Sequence, residues 1–486
     1  MTLQKKMAKG SMWSITEKGG QQFVSFFLFM VIARLVGPEE YGLAMLCFVV
    51  LSFSNMLLLG MADGIVSLQL KDNSRLSTLF WIITTTGSAL SVLCFVAAGS
   101  VADAFDLPRI MPLLQWFSPV PFLMGIMAVP HMLVMQKMDF KVYAIRSLVA
   151  TTGSGATGVV LALYGYGAYA IIIQQIVLYV LTNIILWFYV DWRPSILMNI
   201  QSLKEIVKPG LNMMGSSTLS FIEQQMPRLF LGHFSGPVNV GYFSFAFRMR
   251  FALQEILIAP AIISLFPVLS QIKEDKSLQD EILENLFFLI GLVVFPIVIL
   301  ATLTAPLYVP LLFSDKWLNA IPLLQIFLLL GLAAPFVSIA SSIFRAYNKV
   351  ESFIRLQLII VFLFIGTVYI SAQYNLMVVG LSVFVFEAIR VPALYFLIRQ
   401  VTDLNVGIYL KAMLKSIFST IVMGFAVYVF INSFSTNSIW RDLCLALLIG
   451  FAVYSTASML LQRGRIYTSL NQIKALIKEG KKAACS

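Results

Sequence analysis

The stretch Arg34-Leu35-Val36-Gly37-Pro38-Glu39-Glu40-Tyr41-Gly42 separates two apolar runs, one ending near Val36 and the next beginning at Tyr41. Glycine supplies the conformational freedom that a tight reversal needs, and proline stops a helix from running through it. The corner returns as Gly236-Pro237-Val238-Asn239-Val240-Gly241, so the pattern Gly-Pro-x-x-x-Gly occurs twice, 199 residues apart. An apolar hairpin used twice points to a membrane protein built by duplication.

Composition agrees. The 486 residues are 59% hydrophobic and 12% charged, where a soluble protein carries about a quarter charged residues. Apolar runs near the length of a bilayer span recur from end to end, which makes the chain an all-α polytopic membrane protein. Breakers divide it into fourteen spans: 11–36, 41–66, 76–102, 111–135, 143–164, 168–190, 207–232, 241–270, 285–313, 318–344, 353–372, 377–398, 412–433 and 439–461. The first ten residues carry Lys5, Lys6 and Lys9 but no small-residue cleavage site after a short apolar core, so they read as a cytoplasmic tail with the first helix retained. With that end inside, twenty-five of the 34 lysines and arginines fall in inner loops and tails. Only Arg109, Lys316 and Arg441 fall in outer loops. A missed or extra span would scramble this bias, so both termini are expected on the cytoplasmic side. The net charge of +11 is therefore topological and does not call for nucleic acid. Cys47, Cys94, Cys444 and Cys485 match no disulfide or metal spacing, and His131 and His233 have no metal-ligand company.

The duplication extends past the corner. Pro112-Leu113-Leu114-Gln115-Trp116-Phe117 opens the fourth span and Pro322-Leu323-Leu324-Gln325-Ile326-Phe327 the tenth. Pro121-Phe122 and Pro335-Phe336 follow in turn, then Ile145-Arg146 and Ile354-Arg355. Six helices lie between equivalent points, so the repeats share an orientation, with the pseudo-axis along the membrane normal. The expected division is an N-lobe over 1–200, a C-lobe over 201–403, two appended helices over 404–462 and a basic tail over 463–486. In that tail Ile466, Leu470, Ile473 and Ile477 recur at helical spacing beside Lys474, Lys478, Lys481 and Lys482, the pattern of an interfacial helix on an anionic leaflet.

The remaining cations fall within spans: Lys18, Arg34, Arg228, Arg248, Arg250 and Arg390. Ionisable groups at membrane depth cost roughly 2.5–3.5 kcal/mol each on insertion scales and face a bundle interior or water. Glu387 and Arg390 lie mid-span and share a helical face at i,i+3. They are expected in a hydrated cavity; the bland alternative is a locked structural pair. On span eight, Arg248 and Glu255 share a face and Arg250 points elsewhere, so at least one arginine is expected toward the cavity. Span seven carries Glu223, Gln224, Gln225 and Arg228 around Pro227, an expected kink. Span one opens with Glu17-Lys18-Gly19-Gly20-Gln21-Gln22, where Lys18 could equally snorkel to the inner surface. Asp63, between Gly60 and Gly64, reads as close helix packing. No Walker loop, HExxH or nucleophile elbow is present, and no outer loop is large enough for a sugar-transfer domain, so no enzyme is expected.

Six stretches carry a family resemblance: Lys9-Gly10-Ser11-Met12-Trp13-Ser14, Ala33-Arg34-Leu35-Val36-Gly37-Pro38 with Tyr41-Gly42, Gln136-Lys137-Met138-Asp139-Phe140, Gly241-Tyr242-Phe243-Ser244, Phe266-Pro267-Val268-Leu269-Ser270 and Phe313-Ser314-Asp315-Lys316-Trp317. In these the chain resembles the Wzx-type polysaccharide flippases of the MOP (multidrug/oligosaccharidyl-lipid/polysaccharide) exporter superfamily, closest to the colanic-acid-exporter-like branch. It departs from them at Glu223-Gln224-Gln225, where relatives carry an Asn-x-x-Asp-like step, and at Ser314-Asp315, which displaces a glycine. The resemblance implies flipping of an undecaprenyl-pyrophosphate-linked oligosaccharide across a bacterial inner membrane for surface polysaccharide synthesis. A basic cleft would replace the hydrogen bonds that the sugar and pyrophosphate lose in hydrocarbon, and arginine is the natural phosphate partner. Arg248, Arg250, Arg390, Arg228 and Lys18 are the expected headgroup contacts, and Glu387, Glu223, Glu17 and Glu255 the expected ion-coupling carboxylates. No metal or cofactor is expected beyond a coupling proton or sodium ion. The expected partners are membrane lipids and the lipid-linked oligosaccharide, with a polysaccharide polymerase and a chain-length regulator as further candidates. The alternatives are a cation-coupled drug exporter of the same superfamily and a non-transporting scaffold for synthesis enzymes.

Overall fold

The computed structural model describes residues 3–485 except 63–71, 138–139, 197–202, 259–261, 263–264, 273–274, 403, 405 and 435–437; the side chains of 3–18, 140–141, 203–217, 267, 401, 406, 408 and 468–485 are also outside the description. Gly37 leaves the helical region for φ 85°, ψ 170°, and Pro38 starts the next helix in its first turn, where the missing N–H costs nothing. Phe29 and Tyr41 then meet with ring centroids 5.8 Å apart. Unbroken helix would hold residues twelve apart at about 18 Å, so the chain doubles back. Gly236 repeats this backbone at φ 77°, ψ 175°. There Arg228 Nε donates to Ser244 Oγ at 3.2 Å, across a separation that unbroken helix would stretch to about 24 Å. Each expected reversal is made by a single non-helical residue.

Along the chain, α1 (Leu3–Val36) and α2 (Pro38–Ser54, extended by a π-helical turn Asn55–Leu59) flank the first corner. Then come α3 (Asn73–Ala104), α4 (Ile110–Phe117), α5 (Pro119–Gln136), α6 (Phe140–Leu163) and α7 (Ala168–Tyr189). Next is α8 (Leu203–Leu257), bent at Gly236, followed by α9 (Leu265–Gln271) and α10 (Lys276–Phe313). A 3-10 turn (Asp315–Ala320) leads to α11 (Ile321–Leu330), α12 (Ala334–Ala346) and α13 (Val350–Ala372). The chain closes with α14 (Leu376–Val401), α15 (Val406–Ser433) and α16 (Ile439–Cys485), the last bent at Gln462. Among the described residues eleven helices are long and apolar enough to cross a membrane. The other three expected spans, 143–164, 207–232 and 241–270, fall on α6, the two arms of α8 and, for the last residues of the third, α9. Large apolar side chains point outward throughout, including Phe188 at 88% and Leu460 at 81% exposure, as lipid-facing residues do.

Two spans that read as continuous are interrupted. The fourth breaks between α4 and α5 because Pro119 and Pro121 offer no N–H to the preceding turn; Ser118 Oγ instead donates to the Gln115 carbonyl at 2.7 Å. The tenth breaks at residues 331–333 for the same reason, ahead of Pro335. Both interruptions lie just before the duplicated Pro-Phe. The kink expected at Pro227 is not a break: the one non-helical residue inside α8 is Gly236.

Packing divides the chain into two compact units, one of Met1–Ser244 with Val361–Val379 and the other of Phe245–Ile360 with Gly380–Ser486. In the first, α3 packs on α5, and α6 packs on α1 and α7. The two corners also meet there. A Cβ on Gly42 would lie 1.8 Å from the Pro237 carbonyl oxygen, and one on Gly241 would lie 2.0 Å from that of Pro38. Each copy thus needs a bare backbone to receive the other. Arg109 pairs with both acids of the first corner, Glu39 at 2.9 Å and Glu40; hydrogen bonding to Glu40, followed by the nearby carboxylate charges, raises its pKa further above the usual arginine value. Glu40 also accepts from the Ala168 N–H at 2.9 Å, capping α7.

In the second unit α15 and α16 pack on α10. The core is built from residues such as Leu283, Phe287, Phe344, Leu394, Tyr409 and Met413. Tyr454 donates to the Leu292 carbonyl at 2.7 Å, and past the Gln462 bend Arg465 meets Glu284 at 2.7 Å. The interfacial character expected for the tail rests on side chains outside the description.

Candidate functional site

The polar step on α14 comes from one helical turn. Glu387 and Arg390 project from the same face, and Arg390 Nη1 lies 3.5 Å from Glu387 Oε1. Arg250, on the second arm of α8, brings Nη2 to 3.4 Å from the same oxygen. The three side chains are 9–14% exposed, so two guanidiniums share one carboxylate in a largely buried setting, and these three side chains carry one net positive charge.

These contacts are long for charge-assisted bonds, which run about 2.7–2.9 Å. Glu387 Oε2 and Arg250 Nε are buried without hydrogen-bond partners. The arrangement is therefore loosely made and not a saturated ion pair, with one N–H of Arg250 and one oxygen of Glu387 to spare. Beside Arg250 lies a pocket of about 10 Å³ lined by Gln254, Leu257, Val294, Val298 and Gly331, which is room for about one water. A planar fork of donors next to a second fixed cation is suited to bidentate recognition of a phosphate or carboxylate.

The other expected residues divide. Arg248 is half-buried and makes interactions of its own, whereas Glu255, on the same helical face, is exposed. Arg250, pointing away from that face, is the one that meets Glu387. Arg228 belongs to the first unit, where it donates to Gln225 Oε1 at 2.7 Å as well as to Ser244. Glu223 is half-buried five residues earlier. The side chains of Lys18 and Glu17, and the whole of Asp63, lie outside the described residues. Of the nine expected site residues, Arg250, Glu387 and Arg390 converge. Gln225 and Ser244 were not singled out as partners of Arg228. The first is visible as an i,i−3 neighbour; the second is legible only once the corner between them is known to fold back.

A family profile described as "Polysaccharide biosynthesis protein" matches residues 31–322. The succinoglycan biosynthesis transport protein ExoT of Rhizobium meliloti (strain 1021) is 24% identical over 56% of this chain, and that match spans about half, 55%, of its own length. The lipopolysaccharide biosynthesis protein WzxC of Escherichia coli (strain K12) is 22% identical over 77% of this chain and 76% of its own. The teichuronic acid biosynthesis protein TuaB of Bacillus subtilis (strain 168) is 22% identical over 84% and 88%. Among solved structures, the inward closed conformation of the lipid II flippase MurJ superposes with a TM-score of 0.74 at 16% identity, covering 94% of this chain and 99% of that one. An inward-facing multidrug resistance MATE transporter of the MOP superfamily follows at 0.56 and 17%, over 77% and 95%.

Proposed function

The chain belongs to the polysaccharide biosynthesis protein family and has the fold of the MOP exporters, and from that premise we propose that it flips undecaprenyl-pyrophosphate-linked oligosaccharide repeat units across the cytoplasmic membrane for surface polysaccharide synthesis. The observation that carries this reading is the buried cluster of Arg250, Arg390 and Glu387, with two cations on one carboxylate. A pyrophosphate brings the anionic oxygens that this excess of guanidinium can bind, in an environment where unpaired charge is costly. Arg248, on the same arm of α8 as Arg250, is a further candidate contact, and Arg228 is a separate candidate in the first unit. Glu387, which both arginines share, is the first candidate for coupling to a proton or sodium ion, and Glu223 the second.

Transport then follows an alternating exposure of the Arg250 cluster to the two leaflets while the isoprenoid tail stays in the bilayer. The N-lobe and C-lobe are the moving bodies in this reading, both termini are cytoplasmic, and a polymerase takes up the product outside. A drug exporter for cationic compounds would call for a surplus of acids at this depth, and the cluster has a surplus of bases. The test is made in cells that depend on this protein for surface polymer. Arg250→Ala and Arg390→Ala are expected to accumulate the lipid-linked repeat unit at normal protein levels. Normal polymer from both variants would remove the cluster from the substrate path.

A further inference from the structure

A second buried guanidinium lies in the first unit and plays no part in the function proposed above. Arg146, one and a half turns into α6, is 7% exposed. Its Nη1 is 2.6 Å from His131 Nδ1 on α5, and its Cζ sits 4.3 Å from the centre of the Tyr143 ring. Arg146 Nε is buried with no hydrogen-bond partner. Among the described residues no carboxylate pairs with it: its polar neighbours are an imidazole and an aromatic face. Arginine stays charged and has only donors, so His131 must accept through Nδ1 and carry its ring proton on Nε2. That leaves a buried cation with a free Nε–H, held by an imidazole that accepts from its Nη1, and a buried charge without an opposite charge is costly.

The repeated half of the chain supplies the contrast. Ile145-Arg146 corresponds to Ile354-Arg355, and Arg355 is 80% exposed and paired with Glu351 at 3.6 Å, four residues back on its own helix. In the first copy that position is Val142. The two copies have therefore diverged: one arginine has a local carboxylate in solvent, and the other is buried with its charge uncompensated by its own helix. Around Arg146, Ile145 and Val149 are about half exposed, as side chains facing acyl chains would be. Lys137, exposed at the end of α5, adds positive charge at the end that charge counting assigns to the cytoplasmic leaflet.

We propose that Arg146 and His131 form a binding site for a phosphate group, carried by an anionic phospholipid or free in the cytosol. The guanidinium supplies the donors and the charge, His131 holds it in place by accepting from Nη1, and Lys137 adds the long-range attraction. The site is separate from the Arg250 cluster and does not depend on what the protein transports.

The test uses the full chain in nanodiscs of phosphatidylcholine alone or with added phosphatidylglycerol, read by native mass spectrometry and thermal unfolding. The wild-type protein is expected to retain one phosphatidylglycerol after delipidation and to unfold at a higher temperature when that lipid is present. Arg146→Gln is expected to lose retention at least tenfold, with Arg146→Lys, which keeps charge but not the fork, in between. Stabilisation by millimolar inorganic phosphate in phosphatidylcholine nanodiscs, lost in Arg146→Gln, would support the site and make its ligand free phosphate. The wild-type arms stand even if Arg146→Gln fails to fold. The proposal is overturned if neither lipid nor phosphate binds or stabilises the wild-type protein. It is overturned equally if Asp139→Asn, at a position outside the described residues, reproduces the loss of stability in every lipid, since the partner of Arg146 would then be that carboxylate.

Discussion

Ser314 holds φ 82° and ψ 166°, a backbone region that only glycine enters readily and that costs other residues about 1–3 kcal/mol. Its hydroxyl is buried and without a partner, so the side chain returns nothing for that strain. The sequence showed this position as a departure from a family glycine, and the structure supplies the physical meaning of that departure. Ser314→Gly is expected to stabilise the protein by about 1–3 kcal/mol, seen as a higher unfolding midpoint in detergent; a lower midpoint would contradict the assigned backbone. At Glu387 the expected sign is opposite. Glu387→Gln removes the carboxylate shared by Arg250 and Arg390 and should cost about 3–5 kcal/mol by denaturation, whereas a neutral effect would mean that the cluster is bathed in water. Two of the three residues were legible together in advance, because Glu387 and Arg390 lie on one turn. Arg250 was expected at the same site, but its contact with Glu387 was not legible, because 137 residues separate the two and no periodicity reports a contact across that distance.

At the scale of the elements, the duplicated corners are the feature most fully written in the sequence. Gly-Pro placed both reversals, and the structure gives them matching backbones at Gly37 and Gly236. What the sequence concealed is that the copies touch, since Gly42 and Gly241 read as turn residues and act as contact residues. Gly42→Ala and Gly241→Ala should each be strongly destabilising, because the added Cβ meets a backbone carbonyl that cannot move aside. As both changes disturb one interface, their double mutant should show a coupling of about 0.5–3 kcal/mol; strict additivity would mean that the corners do not pack on each other. The interrupted fourth and tenth spans were read as single helices because hydropathy registers apolar content and not the loss of N–H donors at Pro119, Pro121 and Pro335. Their shared position ahead of the Pro-Phe pairs makes the interruption itself part of the repeat.

At the scale of the whole molecule, class and fold followed from composition and span counting, because a bilayer requires every spanning backbone to satisfy its own hydrogen bonds. The outward display of residues such as Phe188 and Leu460 bears out that reading, and the match to solved MOP-superfamily structures bears out the fold. Transport of a lipid-linked saccharide is the central claim, and the purified protein in liposomes tests it most directly. A fluorescent undecaprenyl-pyrophosphate oligosaccharide is placed in one leaflet and its arrival in the other is followed with an impermeant quencher. Wild-type protein is expected to move it at least tenfold faster than empty liposomes, with Arg250→Ala falling to the empty-liposome rate. Folded wild-type protein that leaves the labelled lipid at that rate, or moves cationic dyes in its place, would contradict the account.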